Sequence, residues 1–179
     1  MISLSDFKPY YESKSHGIYA LFLKEGSSLS PFFSEKWCGK IEAQMKKYNC
    51  PNLLYIGIAK DKTLKRRTKY DHKTGRIRYS TLRYTISYCA GMQLYGCKGY
   101  TISEKRKISS KDRAKLTDWL LNNTYFKIIE TDDCEKREKE YLEKYNPPLN
   151  IEDCPDSIIK NGERGKKYIE LPPDEFDKL

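Results

Sequence analysis

Three short runs of β-branched, aromatic and apolar residues constrain the fold of this chain most strongly. Residues 16–23 read HGIYALFL, residues 53–59 read LLYIGIA and residues 124–130 read TYFKIIE. Runs of this length and composition are typical of strands. Because segments with helical character separate them, the pattern predicts an α/β (α+β) fold. We expect a small, mainly antiparallel central sheet of about three strands, flanked by helices.

Helices are predicted where the spacing of apolar residues repeats with a helical period or where a residue that caps helices precedes the segment. Trp37, Ile41 and Met45 show such spacing. Serine or aspartate begins three further segments and can accept hydrogen bonds from the first turn. The predicted helices cover residues 34–48, 62–71, 80–91, 110–123 and 132–145.

The length of 179 residues is enough for one domain with a real core and short for two, so we expect residues 1–179 to form a single domain. None of the six cysteines form a Cys-x-x-Cys pair, so we expect no structural zinc site. We expect the cysteines to be free thiols in a reducing cytoplasm. The first residues carry charges and lack a long apolar core, so no signal peptide is predicted. No run is long enough to span a bilayer, so no membrane partner is expected.

The chain carries a formal net charge of +9, which favours a polyanionic partner. A dense basic run follows the second predicted strand, and its residues are either contacts to a DNA backbone or a solvated face. The candidates for DNA contact are Arg66, Lys69, Lys73, Arg76, Arg78 and Arg83.

Short motifs on these elements point to one family. The first strand carries Gly17-Ile18-Tyr19 and the second carries Tyr55-Ile56-Gly57, while an arginine stands three residues after Leu64. Glu138 stands twelve residues before Asn150, which follows Pro-Pro-Leu. Taken together and in this order, the motifs resemble the GIY-YIG nuclease family over about residues 16–151. The insertion at 24–52, between the two tyrosine strands, could carry DNA recognition or a dimer contact, and residues 152–179 form a charged tail.

The resemblance implies that Tyr19, Tyr55, Arg67 and Glu138 carry the chemistry. A single carboxylate can hold a divalent cation with water in the other positions, so Glu138 is the candidate ligand for Mg²⁺ or Mn²⁺. From the pattern alone it could equally be one of several surface glutamates on its helix. Tyr19 is the candidate base or water-positioning group and Tyr55 its hydrogen-bonding neighbour, although tyrosines are also common structural residues of strands.

The catalytic arginine is expected to be Arg67, since a guanidinium can grip two phosphate oxygens at once. Its neighbour Arg66 stays a second candidate for the catalytic arginine, because the segment between Tyr55 and Leu64 is two residues longer than in the shortest relatives. Many relatives have a lysine directly after the second glycine, where this chain has Ile58. The charge of that lysine must then be absent or come from elsewhere.

For two further candidate residues, His72 and Asn150, a role in the site and a role outside it both stay open. His72 stands five residues after Arg67, one residue later than the histidine of many relatives. It could help to deprotonate Tyr19 or touch the phosphate, or it could be a solvent histidine in a basic turn. Asn150 could orient the chain near Glu138 or the phosphate, or its amide could satisfy the turn after Pro147 and Pro148.

The resemblance implies endonucleolytic hydrolysis of double-stranded DNA by a metal-dependent enzyme. The stretch Ser80-Thr81-Leu82-Arg83 and the helix around Trp119 look like the branch that includes restriction enzymes. A restriction-like enzyme that cuts both strands would act as a homodimer. The alternatives are a repair, homing or mobile-element nuclease and an inactive DNA-binding relative.

Overall fold

A computed structural model of the chain describes residues 2–30, 32–77, 80–97, 106–151, 154–159 and 168–179. The strands in this part of the chain are β1 (Lys8–Pro9), β2 (Gly17–Leu23), β3 (Leu53–Ala59), β4 (Leu94–Cys97), β5 (Arg106–Lys107), β6 (Thr124–Glu130) and β7 (Tyr168–Leu171). The α-helices are α1 (Glu35–Lys47), α2 (Thr81–Cys89), α3 (Ser110–Asn123), α4 (Cys134–Tyr145) and α5 (Pro173–Asp177). A short 3₁₀-helix covers Leu4–Asp6 and a π-helix covers Arg66–Thr74.

The central sheet is antiparallel and has the strand order β1-β6-β2-β3. The three predicted strands are confirmed, and β1 adds a short edge. Successive residues of β2 enter two different cores: Tyr19 and Leu21 pack on one face of the sheet, whereas Ile18 and Ala20 pack on the other. Both faces are therefore covered, which explains why β2 is apolar throughout instead of alternating.

The predicted α-helices correspond to α1, α2, α3 and α4, with ends that differ by no more than two residues. The helix predicted over residues 62–71 differs in type. It is the π-helix Arg66–Thr74, in which hydrogen bonds close over five residues instead of four. This difference matters for the site, because the π-helix carries the candidate arginine and the candidate histidine.

A second, three-stranded sheet has the order β5-β4-β7, with β4 and β7 parallel. No sequence pattern predicted this sheet, since β5 is very short and β7 lies in the charged tail. Lys107 of β5 donates a hydrogen bond from Nζ to the backbone oxygen of Phe176, 2.6 Å away, and so attaches α5 to this sheet. Among the described residues, no helix is long and apolar enough to cross a membrane.

The insertion at 24–52 contributes α1 to the core. Gln44 is buried and donates from Nε2 to the backbone oxygens of Asn146, at 3.1 Å, and Asp156, at 3.0 Å. These bonds tie α1 to the C-terminal end of α4, where Asn146 adopts the left-handed conformation. At least this helix of the insertion therefore has a structural role.

Candidate active site

Tyr19 and Tyr55 lie on adjacent strands, and their rings stack with a centroid distance of 6.3 Å. Gly57 stands directly opposite Tyr19 across the β2–β3 pair. A Cβ atom at Gly57 would lie 2.6 Å from the Tyr19 hydroxyl oxygen and 2.8 Å from Cε1 of Tyr55. The glycine of the second motif is therefore needed because both tyrosine rings occupy the space of its missing side chain.

Arg67 contacts the first of the two tyrosines. Its NH2 nitrogen is 3.4 Å from the Tyr19 hydroxyl oxygen, and its partly exposed side chain lines a cleft of about 380 Å³. Arg66 is directed elsewhere: its guanidinium lies over the Tyr70 ring, 5.8 Å from the centroid. Of the two arginines, Arg67 thus forms the hydrogen bond to a motif tyrosine. Both the position of Arg67 and its lining of the cleft fit a phosphate clamp.

The cleft also contains positively charged side chains, although Ile58 stands where many relatives have a lysine. Lys60 and Lys62 line it together with Arg67. Lys60 is 2.8 Å from a carboxylate oxygen of Glu135, and Lys62 is 2.9 Å from one of Asp71. The positive charge expected after the second glycine therefore reaches the same cleft from two and four residues further along the chain.

His72 is fully buried, and each of its two ring nitrogens forms a hydrogen bond. Its Nε2 lies 2.6 Å from the Tyr19 hydroxyl oxygen, and its Nδ1 lies 2.6 Å from Oγ of Ser80. The interpretation as a solvent histidine is therefore wrong. Burial, followed by the charge of Arg67, holds the pKa of His72 well below its ordinary value, so the imidazole is neutral near pH 7.

The π-helix accounts for the spacing between Arg67 and His72. In an α-helix the residue adjacent along the axis stands four positions on, whereas in a π-helix it stands five positions on. His72, five residues after Arg67, therefore comes to lie beside Tyr19 together with Arg67. The wider turn of the π-helix accommodates the one extra residue. The histidine therefore still reaches the site, although it stands one position later in the sequence.

Asp71 is a residue that the sequence analysis did not select. Its carboxylate is buried and accepts from Arg67 NH1 at 3.2 Å, with Lys62 and Arg66 also within 3.4 Å. Three cations thus converge on one carboxylate, which fixes the direction of the Arg67 guanidinium. The spacing of four residues between Arg67 and Asp71 was the available signal.

Arg83 is buried in this structure, so its prediction as a DNA contact is corrected. Its side chain has no exposed surface; NH1 donates to the backbone oxygens of His72 and Lys73, and NH2 donates to Thr117. Ser80, which caps α2, bonds to His72 through its side chain. Residues 80–83 therefore hold the end of the π-helix in place. This contact is a structural reason for the stretch to occur together with His72.

Glu138 lies on α4, which packs against β2 and β3. Burial, with a smaller contribution from the charge of Glu138, raises the pKa of Tyr19 to about 12 despite the opposing charge of Arg67. The pKa of Tyr55 is also raised well above its ordinary value by burial, then by Tyr19 and by Glu138. The carboxylate, the guanidinium and both phenols therefore share one electrostatic neighbourhood.

The residues around Glu138 fit a cation that takes one protein carboxylate. Within the described ranges, no three side chains of His, Cys, Asp or Glu converge as a metal cluster. Mg²⁺ commonly binds through one or two carboxylates and keeps several waters, with phosphate oxygens of the substrate completing the shell. Glu138, whose charge acts on both motif tyrosines, could supply that one carboxylate.

Asn150 has a structural role. It is buried, its Oδ1 accepts from the backbone nitrogen of Ile56 at 2.9 Å and its Nδ2 donates to the backbone oxygen of Ile56 at 2.7 Å. Both ends of the amide are thus used by β3, next to Tyr55. The expected catalytic contact is corrected to a positioning contact, because neither polar atom is directed at Glu138 or at the cleft.

The remaining predicted DNA contacts differ in exposure. Arg66, Lys69 and Arg76 are exposed, and Lys73 is half-buried with its Nζ 5.9 Å from the centre of the Phe126 ring. Lys69 pairs with Glu12 in the described geometry. Arg78 lies outside the described residues. The exposed members remain candidates for DNA contact.

Comparison with protein families matches residues 17–166 to the GIY-YIG catalytic domain. This match covers most of the chain, so the chain belongs to the GIY-YIG family of nucleases. It is an endonuclease that acts on DNA. Comparisons with curated proteins and with solved structures gave no match.

Proposed function

We propose that the chain hydrolyses phosphodiester bonds of double-stranded DNA with a divalent cation, Mg²⁺ or Mn²⁺, held by Glu138. The observation that carries the proposal is the position of the Tyr19 hydroxyl between Nε2 of His72 and the guanidinium of Arg67. Arg67 would bind the scissile phosphate, and Tyr19 would accept a proton from the attacking water. A bound cation would withdraw charge from the phosphoryl oxygens.

The hydrogen bonds of Tyr19 support a direction for its proton. Its oxygen is a hydrogen-bond acceptor for Arg67 and for Tyr55, so the hydroxyl hydrogen is directed to Nε2 of His72. His72 then carries its own hydrogen on Nδ1 and donates it to Ser80. Transfer of the Tyr19 proton to His72 would leave a phenolate to which Tyr55 donates a hydrogen bond.

Arg67 must move before the phenolate can meet water, because Tyr19 has no exposed surface in the described geometry. A phosphate in the cleft would draw the guanidinium outward. Water would then attack phosphorus as its proton passes to the Tyr19 oxygen. The bond from phosphorus to the leaving oxygen breaks, and that oxygen takes a proton from solvent.

Cleavage of plasmid DNA with Mg²⁺ tests the proposal. Glu138→Gln should abolish cleavage and retain DNA binding, since the amide keeps the shape but loses the charge that holds the cation. Glu143→Gln, on the exposed surface of the same helix, is the matched control and should keep its activity. Full activity of Glu138→Gln, or no cleavage by the unaltered protein with any of several divalent metals, would contradict the assignment.

We further propose a restriction-like role in the cytoplasm, with two copies cutting both strands of a palindrome. The support is the stretch 80–83, which resembles the restriction branch and holds the π-helix here. A repair, homing or mobile-element nuclease is the second candidate. Discrete fragments from a large DNA, produced without other proteins by a dimeric enzyme, support the restriction role; cutting only with a partner protein or only at branched DNA opposes it.

A further inference from the structure

A second cleft lies beyond the end of the π-helix. It has a volume of about 400 Å³, and its lining includes four cationic side chains and one acidic one: Arg76, Arg106, Lys107, Arg113 and Asp177. None of its lining residues lines the cleft of Arg67. We call it the basic cavity.

Separate elements bring these cations together. Arg76 stands in the segment that leaves the π-helix, Arg106 and Lys107 form β5, and Arg113 lies in the second turn of α3. The convergence therefore depends on tertiary packing. A solvated basic face on one helix would not produce it.

The side chains of β5 are held in place. Arg106 stacks on the buried ring of Tyr84, with its guanidinium carbon 4.2 Å from the ring centroid. Lys107 donates to the backbone oxygen of Phe176, and its Nζ lies 3.8 Å from Asp177. The Asp177 carboxylate is thus turned toward Lys107, and the cationic side chains that line the cavity outnumber its acidic side chain.

Positive charge is concentrated enough here to affect a neighbour. The pKa of Arg83 is lowered to about 10, first by burial and then by the charge of Arg113. A bound anion would relieve this repulsion. Guanidinium groups are planar forks that match the oxygens of a phosphate or of a carboxylate. A phosphodiester is favoured here because the chain acts on DNA.

We propose that the basic cavity binds one backbone phosphate of the DNA, away from the phosphate that is cut. The proposal rests on the proposed function, since it needs DNA as the substrate. The π-helix runs from Arg67 toward Arg76, so one DNA backbone could follow the protein from the catalytic cleft to the basic cavity. The cavity would then fix how the duplex lies on the enzyme and would contribute no base readout.

The test compares Arg76→Ala/Arg113→Ala with Lys36→Ala/Lys46→Ala, a control that removes two exposed charges from α1. Duplex binding is measured without divalent cation over a range of salt concentrations. Each phosphate contact contributes roughly 0.9 to the slope of log affinity against log salt, so the cavity variant should lose about one unit of slope and on the order of tenfold in affinity at low salt. The control should match the unaltered protein.

A scan of neutral methylphosphonates along the duplex gives a second readout. One position outside the cleaved phosphate should weaken binding by the unaltered protein and have no effect on the cavity variant. Arg76→Lys/Arg113→Lys should keep the slope, because it keeps the charges. Circular dichroism establishes that each variant is folded.

The outcomes separate the two proposals. If the unaltered protein binds and cuts DNA while the cavity variant has the same affinity, slope and methylphosphonate profile, the cavity proposal is wrong and the proposed function stands. If inorganic phosphate binds the unaltered protein but not the variant, and DNA binding is equal, the cavity is a small-anion site. Failure of the unaltered protein to bind duplex DNA would overturn both.

Discussion

The hydroxyl oxygen of Tyr19 lies 2.6 Å from Nε2 of His72, and neither residue has any exposed surface. This pair is the centre of the site, because Arg67 and Tyr55 also bond to the same hydroxyl. A buried phenol with a neutral imidazole as acceptor is a resting arrangement. Its burial implies that substrate binding must open the site before the chemistry begins.

The buried His72 should make stability depend on pH. Its pKa is lowered in the folded state, whereas in the unfolded chain it is about 6.5, so the unfolded state binds more protons as the pH falls below about 6.5. The free energy of unfolding should therefore fall below that pH, by up to about 1.4 kcal/mol per pH unit from this group. Urea unfolding between pH 7 and pH 5 measures the effect.

His72→Gln should reduce that pH dependence and also lower the cleavage rate, since glutamine does not titrate and cannot take the Tyr19 proton. His16→Gln is the matched control, because His16 is the other histidine of the chain and is exposed. An unchanged pH slope in His72→Gln would contradict the assignment of a neutral buried imidazole.

Gly57→Ala should impair the fold and the site together. The added methyl group would lie 2.6 Å from the Tyr19 hydroxyl oxygen, so at least one of the two rings must shift. Overpacking of this kind costs about 1–3 kcal/mol. Thermal unfolding and single-turnover cleavage check the prediction. Gly39→Ala is the control: it lies on α1 with no atom of the described residues within 4 Å of the added Cβ, so it should leave cleavage unchanged and raise stability slightly, because alanine is a better helix former than glycine.

Arg67→Ala should lower the cleavage rate by at least about 100-fold, the range seen when one charge-stabilising donor is removed. Arg66→Ala should have a far smaller effect, because its guanidinium lies over Tyr70 and outside the tyrosine pair. Single-turnover rates at saturating DNA compare the two variants directly. Equal losses would mean that the two arginines act together and that the present choice is wrong.

Asp71→Asn should lower activity through Arg67, since the neutral amide no longer holds the guanidinium and Lys62 in fixed positions. We expect a loss of about tenfold in kcat, because the guanidinium is no longer held in position. DNA affinity should not fall, because the loss of a carboxylate makes the cleft more positive. Asp61→Asn, exposed at the same cleft, is the control. A loss that appears only in thermal stability would indicate a purely structural role.

Arg83→Met should destabilise the chain without lowering the DNA affinity of the folded protein. It would leave the backbone oxygens of His72 and Lys73 and the Thr117 hydroxyl without this donor, at a cost of about 1–3 kcal/mol for each group that stays unsatisfied. Thermal unfolding and duplex binding at a temperature well below the transition separate the two effects. A selective loss of DNA binding would restore Arg83 as a contact.

The sequence was sufficient for the central sheet because β2, β3 and β6 are long apolar runs with their own strand signal. It was also sufficient for the order of the catalytic motifs, because each tyrosine belongs to a short motif with a glycine two residues away. The small sheet of β4, β5 and β7 was missed, because two-residue and four-residue strands carry almost no pattern and pair over long distances.

The sequence by itself determined which residues can carry charge and chemistry, and where the strands that hold the tyrosines begin and end. Tertiary structure alone decided which basic residues face solvent: Arg83 is buried under the π-helix, whereas Arg76 lines a cavity built from separate elements. It also placed His72 beside Tyr19 through a π-helical turn. These outcomes depend on hydrogen bonds between residues far apart in the chain, which residue type and local spacing do not encode.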